Sequence, residues 1–546
     1  MLKYIFIVLL SILYTKYGFG QDANLPQDYL TKDFHKARRD SLRKKMPSNS
    51  VAIFFANPVR NRANDVEYVY HQDPNFYYLT GYNEPNVLLL LFSDVQKIND
   101  STFYSEQIFV QKKDAQAEQW TGKRLGIDGV KTNLGFKDVY NGEDFKAVFY
   151  DFKKFDKVLI FDFKDDYRNS KRNTADLYDL TKQLKKKISF DRSLLPNPRK
   201  IGLYNLIKAT AIENSSSVVQ NLERYFQYYP SLKKDKLLNG YQNAVSDTLR
   251  KEFKQKISLA LEAKPKTNVD IYSLSQLMAG LRETKTDKEL VLLKKAIAIS
   301  AIGQIEIMKA MRPNMSETEI QGIHEFVYKK YGAEYEGYPS IVGAGNNGCV
   351  LHYIKNNKTK VENDLVLMDL GAEYHGYTAD VTRTIPANGK FSVEQKAIYD
   401  LVYEAQEAGI AKAIVGNRFN APNRVTRVLI NKGLVRLGIL DSIQQKHDYY
   451  PHGASHYLGL DVHDAGSYGP FQANTVITVE PGIYIPEGSP CDKKWWGIAV
   501  RIEDDILITA EGPVNLSAKA PRKSDEIEKL MQEPSVLDGF LLPKLD

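Results

Sequence analysis

Cysteine is almost absent from this chain of 546 residues, which carries only Cys349 and Cys491. Two thiols cannot staple a chain of this length or build a thiolate zinc cluster. Any metal must therefore be held by histidine and carboxylate. The apolar run Tyr4 to Tyr14 falls short of the roughly 20 residues that cross a bilayer. Charge of one sign is in only modest excess, with 74 Lys and Arg against 67 Asp and Glu. At 43% apolar and 26% charged, the composition is that of a globular chain and excludes a disordered, collagen-like or multi-span membrane protein. No internal repeat of short period is present.

The length allows two to four domains at roughly 100 to 200 residues each. The net charge of +7 could point to nucleic acid or an anionic surface, but it is unevenly spread. Residues 1–300 hold 49 basic and 35 acidic residues (+14), and residues 301–546 hold 25 and 32 (−7). The halves are expected to do different work. Lys3, the apolar run and Gly18-Phe19-Gly20 form the pattern of a secretory leader. We expect cleavage near Gly20 and an exported, periplasmic or secreted protein with no stable membrane anchor after processing.

From Asp33 to about Phe190, short β-rich runs (Val51 to Ala56, Val87 to Phe92, Gln107 to Val110, Lys157 to Phe161) alternate with helical stretches, predicting an α/β domain. Between about Asp165 and Lys266 the chain becomes basic and polar. Lys182 to Lys187 and Leu249 to Ala263 read there as solvated faces of a charged helical insertion. Thr286-Asp287-Lys288-Glu289 ahead of Leu290, Leu293, Ala296 and Ile297 reads as a capping box opening an amphipathic helix. Beyond it, Leu365 to Met368, Tyr377 to Ile385, Val476 to Val479 and Ile498 to Ile508 read as strands, and Val393 to Gly409 as a helix.

Four segments of the second half set carboxylates in apolar, strand-like surroundings: Met368-Asp369-Leu370-Gly371, Ala379-Asp380-Val381-Thr382-Arg383, Thr478-Val479-Glu480-Pro481-Gly482 and Arg501-Ile502-Glu503-Asp504-Asp505. A carboxylate so placed costs several kcal/mol unless a cation meets it. Asp369 and Asp380 flank an apparent hairpin through Tyr374 to Gly376, so they can face one space from neighbouring strands. Of the nine histidines, His452, His456 and His463 share one glycine-containing segment, His452 to Asp464, read as strand or loop, and His352 lies upstream. Four carboxylates would balance two divalent cations, leaving an imidazole as fifth ligand and room for hydroxide. Such an oxygen-rich set suits manganese, with cobalt or zinc as alternatives. Paired metals of this kind perform hydrolysis.

With these motifs in view, the second half resembles the creatinase-fold ("pita-bread") metallopeptidases, in their Xaa-Pro aminopeptidase (aminopeptidase P) branch. The resemblance runs from about Arg282 to Ile527, through Ile341 to Tyr353 (IVGAGNNGCVLHY). The first half shares it in Tyr68 to Asn86 (YVYHQDPNFYYLTGYNEPN) and Ala117 to Gly126 (AEQWTGKRLG). It implies an α/β (α+β) protein with a creatinase-like N-terminal domain and a pita-bread catalytic domain. Domain limits are expected at 1–20 (signal peptide), 21–200, 201–285 (helical insertion and linker), 286–522 (catalytic) and 523–546 (tail). The resemblance implies that Asp369 chelates one metal and that Asp380 and Glu503 bridge the pair. It gives His456 and Glu480 to the other metal, with Glu480 also the proton acceptor. His352 and His463 would flank the substrate, with His452 and Arg501 lining the same pocket.

The implied reaction removes the N-terminal residue from peptides with proline second, by way of a hydroxide held between two metals. The implied assembly is a homo-oligomer, dimer or tetramer, with peptides rather than nucleic acid as partners. A prolidase, restricted to Xaa-Pro dipeptides, shares the fold and ligands, and a non-catalytic binding protein of the fold is a further alternative. The long basic insertion and the leader depart from the family pattern. Cys349, three residues before His352, reads as an apolar filler rather than a ligand.

Overall fold

The computed structural model describes residues 26–164, 175–263, 266–540 and 542–543. The expected leader, and the part of the basic insertion at 165–174, lie outside the described residues. The chain forms two compact units, one from Met1–Arg39, Tyr77–Tyr82 and Met278–Asp546, the other from Asp40–Phe76 and Asn83–Leu277. No described helix is long and apolar enough to cross a membrane.

The second of these units is built on a six-stranded mixed sheet of β1 (Ser50–Phe55), β2 (Leu88–Asn99), β3 (Thr102–Val110), β4 (Val139–Asn141), β5 (Lys157–Ile160) and β6 (Val269–Asp270), in the order β4-β3-β2-β1-β5-β6. Strand β1 runs antiparallel to β2 and parallel to β5. A central strand covered on both faces needs an unbroken apolar run, and Ser50 to Phe54 are all buried. The β2–β3 hairpin is longer than its apolar runs indicate, because its outer half carries exposed Thr102 and Phe103 and pairs irregularly.

Between β5 and β6 the chain leaves the sheet through α1 (Leu177–Lys187), α2 (Pro198–Ala209), α3 (Ser215–Tyr228), α4 (Lys236–Gln242) and α5 (Asp247–Glu262). Helix α1 is only partly solvated, since Leu180 and Leu184 enter the sheet's core. Helices α2 to α5 close a core of their own around Leu203, Ile207, Leu222, Leu238 and Ile257. Ile257 is the one fully buried residue of α5, half-buried Phe253 and Leu261 pack on the same face, and the charged opposite face is turned outward.

In the other unit, α6 (Asp287–Ala310) starts at the expected box. Thr286 Oγ1 accepts from Glu289 N at 3.4 Å, and Glu289 Oε2 accepts from Thr286 N at 2.8 Å. Helix α7 (Glu317–Lys330) follows, then short antiparallel strands: β7 (Ile341–Ala344), β8 (Leu365–Leu370), β9 (Ala372–Tyr374), β10 (Tyr377–Thr378) and β11 (Val381–Pro386). After helices α8 (Val393–Ile410) and α9 (Ala421–Arg436) come β12 (Thr475–Val479), β13 (Gly482–Ile485), β14 (Ile498–Arg501), β15 (Asp504–Thr509) and β16 (Gly512–Asn515). They pair as β7-β8-β11, β12-β15-β16 and β13-β14. One large core, including Ile307, Val366, Met368, Ile398, Val402, Ile430 and Val500, joins these strands to the helices.

Two expected strands are interrupted. Tyr377 to Ile385 breaks at Ala379-Asp380, and Ile498 to Ile508 breaks at Ile502-Glu503. Each break takes a carboxylate out of the ladder and turns it toward the interior. The hairpin tip is His375-Gly376, both left-handed at φ 49° and 86°, the conformation a two-residue tight turn demands.

Candidate metal centre

Strand β8 presents Asp369 opposite Thr382 of β11, and the break before β11 presents Asp380. Glu480 follows β12, and Glu503 lies between β14 and β15. His456 belongs to an irregular segment tied along β12 by backbone bonds from Leu458 N to Val476 O, Thr478 N to His456 O and Glu480 N to Ala454 O. The period of two on the strands and the breaks between them bring these five side chains to one place from five separate segments. A cavity of about 350 Å³ is lined by Asp369, Asp380, His456, Glu480, Glu503, His352, His452, His463 and Arg501. All nine residues singled out in the sequence thus share one wall. Ligand atoms of Asp380, His456 and Glu503 lie within 4.8 Å of one another.

The carboxylates repel each other. Burial and the charges of Asp380, Glu480 and Asp369 push Glu503 well above the usual carboxylate range. Burial and the Asp369 charge raise Asp380. Burial, opposed by His456 and reinforced by the Asp380 charge, brings Glu480 to about 7. Burial works against a charged His456, yet its contact with Asp380 and the charge of Glu480 outweigh it and hold the ring at about 9. His456 Nδ1 bonds the carbonyl of Tyr457 at 3.0 Å, so Nε2 faces Asp380 at 3.3 Å and Glu480 at 3.5 Å. A neutral ring in that tautomer would point a lone pair at two anions, which either a proton on Nε2 or a cation between them relieves. Behind the site Asp505 Oδ2 accepts from the amide of Asp380 at 3.1 Å, and its buried Oδ1 has no hydrogen-bond partner among the described residues. Crowded carboxylates and an imidazole nitrogen aimed into them fit divalent cations held by oxygen and nitrogen.

The remaining side chains set orientation. Arg501 donates to Asp369 Oδ2 at 2.5 Å and to Tyr484 Oη at 2.9 Å, and Tyr484 Oη lies 2.8 Å from His452 Nε2. Burial and Arg501 pull His452 down to about 4, so it is neutral near pH 7. His463 meets His456 edge to face, with ring centroids 4.4 Å apart. Arg427 donates to the carbonyls of Tyr450 and His452 at 2.9 and 3.0 Å.

Tyr338 and Tyr484 lie outside the quoted carboxylate segments, and Thr382 and Asp505 lie within two of them without an assigned role. Tyr338 Oη is 2.5 Å from an oxygen of Asp369 and of Asp380, and Thr382 Oγ1 donates to Glu503 at 2.6 Å. Hydroxyls carry no charge signal, and Tyr338 precedes the motif that begins at Ile341, so a charge-based reading passes over them. Asp504, between Glu503 and Asp505, turns away to Arg383 at 2.8 Å. Cys349 lies outside the cavity lining in a small apolar cluster, where burial pushes its thiol up to about 12.

Fold and site together define a metallopeptidase. Residues 291–510 match the model of metallopeptidase family M24, and residues 35–160 match that of the aminopeptidase P N-terminal domain. The Xaa-Pro aminopeptidase of Escherichia coli K12 is 32% identical over 515 residues, 92% of this chain and 98% of that protein. Human Xaa-Pro aminopeptidase 3 is 29% identical, over 89% of this chain and 82% of its own. Among solved structures, E. coli aminopeptidase P with the inhibitor Pro-Leu superposes with a TM-score of 0.69 at 30% identity, covering 92% of this chain and 98% of that one. The chain belongs to the M24 metallopeptidases, in their Xaa-Pro aminopeptidase branch, and is a metalloaminopeptidase with the two-domain α/β architecture of that branch. The helical module at 198–262 lies outside both matched regions.

Proposed function

We propose that this enzyme releases the N-terminal residue from peptides whose second residue is proline, with two divalent cations, manganese foremost, held by Asp369, Asp380, His456, Glu480 and Glu503. The observation that carries the reading is the convergence of those five donors on one cavity with His352, His452, His463 and Arg501. When bound, the cations supply a water acidified to hydroxide and polarisation of the scissile carbonyl. Glu480 takes the proton of the attacking water on a carboxylate oxygen and returns it to the leaving nitrogen. His352 and His463 flank the peptide, one steadying the developing oxyanion and the other contacting the proline side. Arg501 and Tyr338 hold the carboxylate of Asp369 in orientation.

Proline in second position leaves the scissile nitrogen without a hydrogen and restricts the residue before it. A site that polarises the carbonyl and asks nothing of that hydrogen can accept the bond. Comparing an Xaa-Pro dipeptide with an Xaa-Pro-Xaa tripeptide tests the proposal; hydrolysis of the tripeptide is expected, and activity confined to the dipeptide would instead identify a prolidase. The Lys3-to-Gly20 leader supports export, with Gln21 as the expected mature N-terminus by protein sequencing. Sedimentation is expected to give a dimer or tetramer.

A further inference from the structure

Four consecutive residues just ahead of α6, Arg282-Glu283-Thr284-Lys285, lie behind the segment that carries His456 and His463. Arg282, Glu283 and Lys285 are buried, with at most 4% of their surface exposed. Asp464, the neighbour of His463, is equally enclosed. Its Oδ1 accepts from Arg282 Nη2, and its Oδ2 accepts from Lys285 Nζ at 2.8 Å. Lys285 Nζ also donates to the carbonyl of Arg282 at 2.6 Å. Glu283 accepts from Tyr457 Oη at 3.1 Å and from the amide of Ser467 at 2.9 Å. Thr284 bridges to Thr475, and the amide of Lys285 donates to Asn474 O at 2.8 Å, which fixes the stretch against β12.

The histidine segment closes on itself at the same point. The carbonyl of Tyr457 accepts both the amide of Asp464, at 2.9 Å, and Nδ1 of His456. A methyl at Gly459 would fall 2.2 Å from Asp464 Oδ2 and 2.9 Å from Lys285 Nζ, so the close approach requires glycine there. A carboxylate held by two cations through different oxygens cannot rotate, and the backbone on either side of it is fixed with it.

Stability does not account for this arrangement. Desolvating two cations and a carboxylate costs so much that a buried ion cluster often contributes less than apolar residues of the same shape. What it supplies is a defined geometry. We propose that Arg282 and Lys285 are positioning residues for His463, acting through Asp464 to hold that ring edge to face against His456 at the substrate. The inference rests on the reading of His463 as a substrate-facing group.

The test replaces Lys285 by methionine, which keeps the stem and removes the charge. In the metal-loaded enzyme, Lys285→Met is expected to unfold cooperatively, to lose at least tenfold in kcat/KM on an Xaa-Pro-Xaa tripeptide, and to exchange the amides of 457–467 faster. In a His463→Ala background, the same change should alter kcat/KM by less than twofold, because the ring it positions is gone. Losses that multiply in the double variant, or unchanged exchange in Lys285→Met, would overturn the proposal. If His463→Ala alone keeps full kcat/KM, the reading of His463 fails, and the exchange of 457–467 still decides whether Lys285 holds the segment. Should Lys285→Met not fold, Gly459→Ala disturbs the same contact with every charge in place. It is expected to show the same loss and the same silence beside His463→Ala, and full activity in it would likewise overturn the proposal.

Discussion

Arg501 donates from Nη2 to Oδ2 of Asp369 at 2.5 Å, with both side chains shielded from water. A carboxylate oxygen has two lone-pair directions, so Asp369 can accept this bond and still face a cation. The pair also changes the charge balance of the site. Asp369, Asp380, Glu480 and Glu503 total −4, and Arg501 adds +1. Two divalent cations would therefore leave a surplus of one positive charge, which favours an anionic nucleophile or oxyanion in the cavity.

Arg501→Lys should weaken both metal retention and catalysis. Lysine is a point charge that cannot reach Asp369 and Tyr484 together from a planar fork. Loss of a partner that orients a metal ligand typically costs 10- to 100-fold in affinity or activity. Manganese titration and kcat/KM of the variant check this, and wild-type values for both would contradict the assigned role.

Glu480→Gln keeps shape and removes the proton acceptor. Turnover is expected to drop by roughly 10²- to 10⁴-fold, the range for general acid–base groups. The thermal unfolding curve should remain cooperative, because replacing one of several mutually repelling carboxylates by an amide relieves charge. Full activity of the variant would remove Glu480 from the mechanism.

Stripping the protein with a chelator should abolish activity and lower Tm, since the carboxylates are then left to repel one another. Restoring manganese at 100 times its Kd should return about 2.7 kcal/mol for each site filled, by mass action. Differential scanning calorimetry with and without metal measures it. A Tm that does not respond to any divalent cation would speak against the site.

His324, fully buried on α7, gives a pH signature away from the metal centre. Burial pulls its ring down to about 3, so it stays neutral in the folded protein. An unfolded chain protonates the same ring near pH 6.5. The unfolded state therefore binds more protons between these values, and stability is full above about pH 6.5 and falls as the pH drops toward 3. Between pH 6.5 and 5 the loss is about 2 kcal/mol at 1.36 kcal/mol per unit. Denaturant unfolding of wild type and His324→Leu at pH 7.5 and 5 should show this difference in slope. The ring also lies where a methyl on Gly303 would come 2.4 Å from its Cδ2, so Gly303→Ala should cost about 1–3 kcal/mol by overpacking.

Much of the molecule could be read locally. Apolar runs located β1, β5, β8 and β12 to within a residue or two, because a strand buried on both faces has no polar alternation to blur its ends. The box at Thr286 and Glu289 marked the start of α6 through side chains that bond their own backbone. The outer half of the β2–β3 hairpin was not legible, since Val95, Thr102 and Phe103 are exposed there and the two strands pair only with each other. Nor was the division of Glu503, Asp504 and Asp505 among three roles. Three adjacent carboxylates look alike along the chain, and strand geometry alone sends one to the cavity, one to Arg383 and one behind Asp380.

Charge told the same story at two scales. Scarcity of cysteine left histidine and carboxylate as the ligands on offer, because residue type limits what a chain can present, and the quoted motifs, from Tyr68 to Asn86 and from Ile341 to Tyr353 among them, carried the resemblance to the Xaa-Pro aminopeptidases. Tertiary structure decided what those residues do to one another. It set Asp369 against Arg501 and Tyr338, turned His456 so that Nε2 faces two anions, and placed Arg282 and Lys285 behind Asp464. Those relations depend on contacts of 3.5 Å or less between residues up to 182 positions apart. Electrostatic and hydrogen-bonding energies act over such distances in space, whatever the separation along the chain.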